Sequence, residues 1–316
     1  MKYVGKKIAT MCLTLLLVSF LVFLCFAVIP GDPALAKLGT EATPERLEAL
    51  RKEMGLDQPF LIRYADWLLS FVRGDMGESY SYERPVTSML ADKVPITVTM
   101  SVMSMIIIVG VSIPLGLYTA RHEGGTADRI IYAINQIFMA VPAFFAGILI
   151  TILFGIVLKL FTPGGYVPYT QSVTGFLGYM FFPSLAIALP KIAMTVKLLR
   201  SGLISEKKMD YTKTAYSRGN NTRDVLYKHV LKNAMIPVIT FLGMTFADII
   251  AGSIIVEQVF NIPGMGRILM TSISNRDYPV VIAIIVCLAA AVIVINTVVD
   301  LIYQWIDPRI RLEEAS

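Results

Sequence analysis

The chain has 316 residues, 55% of them apolar and only 16% charged, with a mean hydropathy of +0.66 and a formal net charge of +5. Soluble domains carry about 25% charged residues, so this balance points away from a soluble enzyme and toward a protein immersed in lipid. The excess positive charge clusters in particular loops, which fits membrane topology better than nucleic-acid binding. Cys12, Cys25 and Cys287 all fall in apolar runs without CxxC spacing and read as small hydrophobes.

In chain order, six stretches are apolar for about 20 residues, enough to cross a bilayer as helices. They lie near 9–29, 97–119, 133–160, 174–196, 237–258 and 280–304. Helices are required because hydrocarbon offers no partner to a free backbone N–H or C=O. Pro114, Pro142, Pro183 and Pro190 predict kinks within these spans. The first span follows Lys2, Lys6 and Lys7, as in a signal peptide, and Ala34-Leu35-Ala36 resembles a cleavage site. Its apolar run exceeds the usual 7–15 residues of a signal core, so a retained first helix is expected. Between the first two spans, Thr43 reads as an N-cap, Pro44 as the first helical residue and Gly55 as a stop. Leu47, Leu50 and Met54 share one face of that helix, and a second amphipathic run around Trp67 and Phe71 follows.

Lysine and arginine in the short loops set the orientation. Nine fall in 197–236 alone, none in 161–173, and Arg267 and Arg276 stand in the loop before the last span. Both termini are therefore expected in the cytoplasm, since a segment as long as 30–96 translocates largely regardless of charge. The expected organisation is a cytoplasmic N-terminus and first span (1–30), a small helical extracytoplasmic cap (31–96), a five-helix core (97–304) holding a cytoplasmic loop at 197–236, and a cytoplasmic tail (305–316).

Several chemistries are missing. No GxxxxGK[ST] is present to cradle a nucleotide, and no GxSxG to present a nucleophilic serine. His122 and His229 have no HExxH or HxxxH company, so no zinc site is expected.

The basic loop has internal order. "DYTKTAYSRG" is free of proline and glycine until Gly219, which reads as the glycine closing a short helix. Asn221, with Asp224 three residues on, reads as the cap of a second helix carrying Val225, Leu226, Val230 and Ala234 as an apolar stripe. Three readings of this bracket stand open on the residues alone: anionic-lipid contact, nucleic-acid binding and docking into a soluble partner. Tyr211, Tyr216 and Tyr227 are too few and too spread for base stacking, which leaves lipid contact and docking nearly level.

Beyond this point the residues resemble a family. "KTAYSRG", with "HVLKNAMIP" following after nine residues, is similar to the EAA loop of ABC-importer permeases in its dipeptide, oligopeptide and nickel branch. Lys213, Thr214 and Ala215 take the first three places, Gly219 keeps the glycine, and His229 stands where the general pattern has isoleucine. Further stretches resemble the branch in order along nearly the whole chain. These are "PGDP" at Pro30–Pro33, "MGLDQPFLIRYADWL", "GDMGESY", "RPVTSML", "GSIIVEQVFNIPGMGRILMTSISNRDYPVV" and the closing "DLIYQWIDPRIR".

The resemblance implies an all-α membrane protein with six transmembrane helices, the type I ABC importer permease fold. It implies a non-catalytic subunit of an ATP-driven importer of short peptides in a prokaryotic inner membrane. Its partners would be a homologous second permease, two ABC ATPase subunits, an extracytoplasmic binding protein and the lipid bilayer, with no nucleic acid. ATP and Mg would be bound by the ATPase subunits, and this chain would hold no cofactor or metal. Nickel or a metal chelate is the alternative cargo; from another class, a stand-alone channel or membrane anchor remains. The resemblance places ATPase coupling on Tyr211, Thr212, Lys213, Thr214, Ala215, Arg218 and Gly219, with Asn221, Asp224, His229 and Asn233 bracing the loop. Asp248, mid-way along the fifth span, is a functional candidate because an intramembrane carboxylate is costly; it lines the path or pairs in the bundle, for instance with Lys191. Asn296 fits an interhelical hydrogen bond better than a cargo contact. Glu257, Arg276 and Asp277 either hold the outer loop or meet the binding protein.

Overall fold

The computed structural model describes residues 2–28, 33–38 and 43–306. Its regular elements are helices, with an isolated bridge between Glu78 and Pro85. They are α1 (Lys2–Val28), α2 (Pro33–Leu38), α3 (Pro44–Glu53), α4 (Phe60–Val72), α5 (Val86–Ala91), α6 (Val94–Arg121), α7 (Thr126–Ala140) and α8 (Ala143–Ile150), which continues as π-helical turns over Thr151–Val157. Then come α9 (Val173–Lys207), α10 (Asp210–Ser217) and α11 (Thr222–Asp224), with π-helical turns over Val225–Val230. The last are α12 (Leu231–Val259), α13 (Met265–Ser274) and α14 (Tyr278–Ile306). Pro30, Gly31 and Asp32 of the "PGDP" stretch, and the tail from Asp307 with Arg309 and Arg311, lie outside the described residues.

Five helical stretches are long and apolar enough to cross a membrane: Gly5–Val28, Val86–Arg121, Val173–Lys207, Thr222–Val259 and Tyr278–Leu301. A sixth span is formed when the pair Thr126–Ala140 and Ala143–Val157 is taken together. The kink expected at Pro142 within 133–160 is there, but it is a full break: the two helices meet at 106°. The cause is local. Pro142 lacks the N–H that would continue the helix and drives the preceding residue out of the helical region, and Val141 takes φ −87°, ψ 120°. Pro114, Pro183, Pro190 and Pro237 stand inside helices that run on through them.

By contacts the chain divides into two units, 1–98 with 263–294, and 99–262 with 295–316. In the first, α1 packs against α4 through a ring cluster. Phe20 and Phe23 meet Phe60 and Tyr64 with centroids 5.3–5.7 Å apart, and Trp67 continues the stack 5.5 Å from Phe23. Such pairs favour edge-on and offset geometry and add to area burial. Ser19 Oγ and the Tyr64 hydroxyl lie 2.8 Å apart, so the polar ends in this cluster are satisfied. Thr43 caps α3 by accepting from the Arg46 amide at 3.4 Å, Pro44 opens the helix, and Gly55 follows it at φ +62°.

In the second unit α9 is the central helix, packed by α7, α8 and α12. Close approach there depends on small residues, as is usual where lipid supplies no hydrophobic drive. A Cβ on Gly116 would stand 2.8 Å from Leu199 Cδ2, and one on Gly243 would stand 2.5 Å from both Val299 methyls. The Tyr179 hydroxyl donates to the Phe260 carbonyl at 2.6 Å and accepts from the Gly164 amide at 3.2 Å.

Candidate functional site

The basic bracket between α9 and α12 is built on a buried base. Thr212 and Ala215 point inward from α10, 0% and 6% exposed. Ala215 shares a core with Leu199 and Leu203 of α9, with Val225, Leu226 and Val230 of the π turns, and with Ala234 and Val238 of α12. The apolar stripe expected from sequence is the part that packs. Thr212 Oγ1 donates to the Glu206 carbonyl at 2.9 Å, pinning the start of α10 to the end of α9.

The opposite face of α10 is open. Tyr211, Lys213, Thr214, Tyr216 and Arg218 are exposed. The Tyr211 hydroxyl donates to Glu206 Oε2 at 2.5 Å and is hydrogen-bonded by Asn233 of α12. Burial and the Glu206 bond both push that hydroxyl up from its ordinary pKa, so it stays a donor. Lys213 Nζ lies 2.8 Å from Asp210 on the surface, a contact worth little to stability.

Gly219 ends the helix at φ +84°, a region other residues enter only with strain. Its amide donates to the Tyr216 carbonyl at 2.9 Å, and Asn220 Nδ2 donates to the Ala215 carbonyl at 3.0 Å. Asn221 then caps α11 by accepting from the Asp224 amide at 2.8 Å, and Asp224 pairs with Lys228 at 3.1 Å. His229 is exposed on the π turns.

Two ion pairs join helices of the second unit. Lys191 of α9 binds Asp248 of α12, and the Asp248 side chain is still 63% exposed. Asn296 on α14 is exposed as well. The other pair has no spacing that would have revealed it. Arg200 of α9 donates from Nε and Nη2 to the two oxygens of Asp128 at 2.6 Å each, and the Gly124 amide donates to Asp128 at 2.9 Å. The only hint in sequence was an acidic residue in the first turn of α7, after Gly124-Gly125. Lys207 Nζ, half-buried at the end of α9, donates to the Ala120 carbonyl of α6.

In the first unit Asp277 is 0% exposed and gathers one turn around itself. Ser79 Oγ donates to it at 2.5 Å, and the amides of Tyr80 and Ser81 at 3.0 and 3.3 Å. Burial, and then the Asp277 charge, push the nearby Tyr80 hydroxyl up to about 12. Arg276 beside it is exposed at φ +57°. A cavity of about 500 Å³ opens in this unit, walled by Phe23, Trp67 and Tyr278 and edged by Asp66 and Asp75. In the second unit Glu257 is 0% exposed.

The chain matches known proteins over nearly its whole length. Residues 112–312 match the family described as binding-protein-dependent transport system inner membrane component, and residues 1–101 match the N-terminal component of the same systems. The chain is 34% identical over 308 residues to a putative peptide transport system permease protein of Brucella abortus, covering 98% of each chain. It is 32% identical over 309 residues to a probable peptide ABC transporter permease protein of Sinorhizobium fredii, covering 98% of this chain and 99% of that one. It is 35% identical over 311 residues to the glutathione transport system permease protein GsiC of Escherichia coli, with the same coverage. The chain belongs to the family of binding-protein-dependent transport system inner membrane components: it is a multi-pass permease subunit of an ABC importer, with the type I importer permease fold.

Proposed function

We propose that this subunit forms, with a homologous second permease, the path for short peptides across the inner membrane, driven by two ATPase subunits that seat on α10. The cargo reading is supported by the relatives, whose names speak of peptide and glutathione transport. Nickel or a metal chelate is the weaker reading, since no relative named above carries it. Both termini and α10 lie on the cytoplasmic side in this reading, as the nine cations of 197–236 favour. ATP and Mg are held by the ATPase subunits, and this chain carries out no catalysis. A binding protein delivers cargo on the opposite side, where exposed Arg276 is a candidate contact, while buried Asp277 holds its own turn and buried Glu257 is out of a partner's reach. The Lys191–Asp248 pair and Asn296 border the path.

The observation that carries the coupling assignment is the two-sidedness of α10. Thr212 and Ala215 fix it from beneath, while Tyr211, Lys213, Thr214 and Arg218 face outward. Gly219 and the Asn221 cap with Asp224 shape the exit, and Asn233 braces Tyr211 while His229 stands on the following turn. A surface helix held this firmly transmits force that a slack loop would absorb.

The test is charge reversal on the outer face, Lys213→Glu with Arg218→Glu. Both side chains are exposed, so the variant is expected to fold and insert normally while ATPase co-purification and peptide uptake fall at least tenfold. If both survive unchanged, the coupling assignment is wrong. Ala215→Asp is a poorer probe, because it buries a carboxylate in this chain's own core.

A further inference from the structure

Between α6, α7 and α9 lies a cavity of about 220 Å³ that the proposed coupling role does not use. Its polar lining is Thr119, Asn135, Gln136, Lys197, Arg200 and Ser201, with Ile131 and Val196 as an apolar wall and Tyr132 at the edge. Asn135 is only 7% exposed, and its amide makes no hydrogen bond with another described residue. Its polar atoms reach the cavity, so the amide is available to bond a guest there. Lys197 has no counter-charge among the described residues either. Arg200 commits Nε and Nη2 to Asp128, which leaves Nη1 outside the pair. The Thr119 hydroxyl is already spent on the Leu115 and Gly116 carbonyls. What remains is a set of donors, an ammonium, a guanidinium edge, two amides and the Ser201 hydroxyl, and this set suits a negatively charged oxygen.

Depth selects the kind of anion. The apolar part of α9, 174–196, covers about 34 Å at 1.5 Å per residue, close to the hydrocarbon thickness of a bilayer. Lys197, Arg200 and Ser201 follow it directly, at the level of the headgroups. Tyr132, 47% exposed, is the residue type expected at that boundary. The cavity is several times the volume of one water, and its apolar wall suits the glycerol and first methylenes of a lipid. Basic pockets between membrane helices are a known way to hold phospholipid headgroups.

We propose that this cavity holds the phosphate of an anionic phospholipid, with Lys197 as the principal charge and Asn135, Gln136 and Ser201 as hydrogen-bonding partners. Free phosphate offers the same oxygens, so the test separates the two. The whole transporter complex is stripped of lipid in detergent. Phosphatidylglycerol or phosphatidylcholine of matched acyl chains is then added, and retained lipid is counted by native mass spectrometry. The expected result is one more phosphatidylglycerol than phosphatidylcholine held per copy of this chain. Lys197→Glu and Asn135→Leu should each weaken its retention about tenfold, the scale of one charge-assisted hydrogen bond. Lys208→Ala, which removes an exposed cation nearby, should leave it unchanged. Lys197 is exposed, so its variant is expected to fold whatever becomes of Asn135→Leu. The proposal is overturned if neither variant alters retention, or if inorganic phosphate alone displaces the lipid at matched concentration. It is also overturned if Lys197→Glu abolishes cargo uptake with lipid retention intact, which would assign the cavity to the transport path.

Discussion

Removing Arg200 tests how the second unit is held together. Asp128 is 2% exposed and accepts two bonds of 2.6 Å from the guanidinium and one of 2.9 Å from the Gly124 amide. Arg200→Ala deletes the two strong bonds and leaves an ionised carboxylate with one backbone donor in a medium of low dielectric. Breaking a buried pair from one side costs about 3–5 kcal/mol. The Arg200 side chain is 23% exposed, so water entering the vacated space relieves part of this, and the lower end, about 3 kcal/mol, is expected. Asp128→Asn keeps the shape and an acceptor for Gly124 while removing the charge. Arg200→Ala/Asp128→Asn should therefore be more stable than Arg200→Ala alone by more than about 1 kcal/mol, because the stranded charge is the main penalty. Arg200→Lys should not rescue fully, since an ammonium cannot reproduce the two-point fork. The assay is thermal unfolding of the detergent-purified protein, scored by intrinsic fluorescence and by the fraction still monodisperse after heating. Should the double variant prove as unstable as Arg200→Ala, the carboxylate is not stranded and the description of this pair is refuted.

Two further expectations follow from local geometry. Gly219 sits at φ +84°, and a Cβ added there would meet no atom within 4 Å, so the cost of substitution is backbone strain alone. Gly219→Asn is expected to be nearly neutral and Gly219→Val to cost about 1–2 kcal/mol; equal melting points for the two would show that the left-handed turn is not what the glycine supplies. Asp277→Ala removes the acceptor for Ser79 Oγ and for the Tyr80 and Ser81 amides, and each group left unpaired costs about 1–3 kcal/mol. Limited proteolysis should then cut near 79–82 at protease levels that spare the unaltered protein, and an unchanged digestion pattern would show that Asp277 is not what orders the turn.

Features coded over a few neighbouring residues were legible in the sequence, and features coded across the chain were not. Thr43 and Asn221 cap the helices they were expected to cap, and Gly219 closes α10, because each needs only its own turn of backbone. The spans were legible because about 20 apolar residues in a row have few other uses. Pro142 announced a break, but the 106° bend is set by what α7 and α8 pack against, and no local rule contains that angle. The Asp128–Arg200 pair joins residues 72 positions apart, and Ser79 meets Asp277 across 198; neither separation has a periodic signature. Ala215 shows the same limit within one turn. A small residue on a surface helix reads equally as a place for a partner's close approach or as a seat in the chain's own core, and the structure gives it the second position.

That inward seat bears on how force would travel. The inner face of α10 shares one packed cluster with Leu199 and Leu203 of α9 and with Ala234 and Val238 of α12. Interiors packed this way compress little, so a displacement of α10 cannot be absorbed beneath it. The polar ties run in parallel with the packing: Thr212 to the Glu206 carbonyl at one end of α10, Asn220 to the Ala215 carbonyl at the other, and Tyr211 between Glu206 and Asn233. Farther along the same two helices Lys191 and Asp248 join α9 to α12 again, and Arg200 joins α9 to α7 through Asp128. A push delivered to the outer face of α10 therefore has no soft element to spend itself on before it reaches two spans at once. Charge reversal at Lys213 and Arg218 tests whether the push arrives; Arg200→Ala tests whether α7 is obliged to follow.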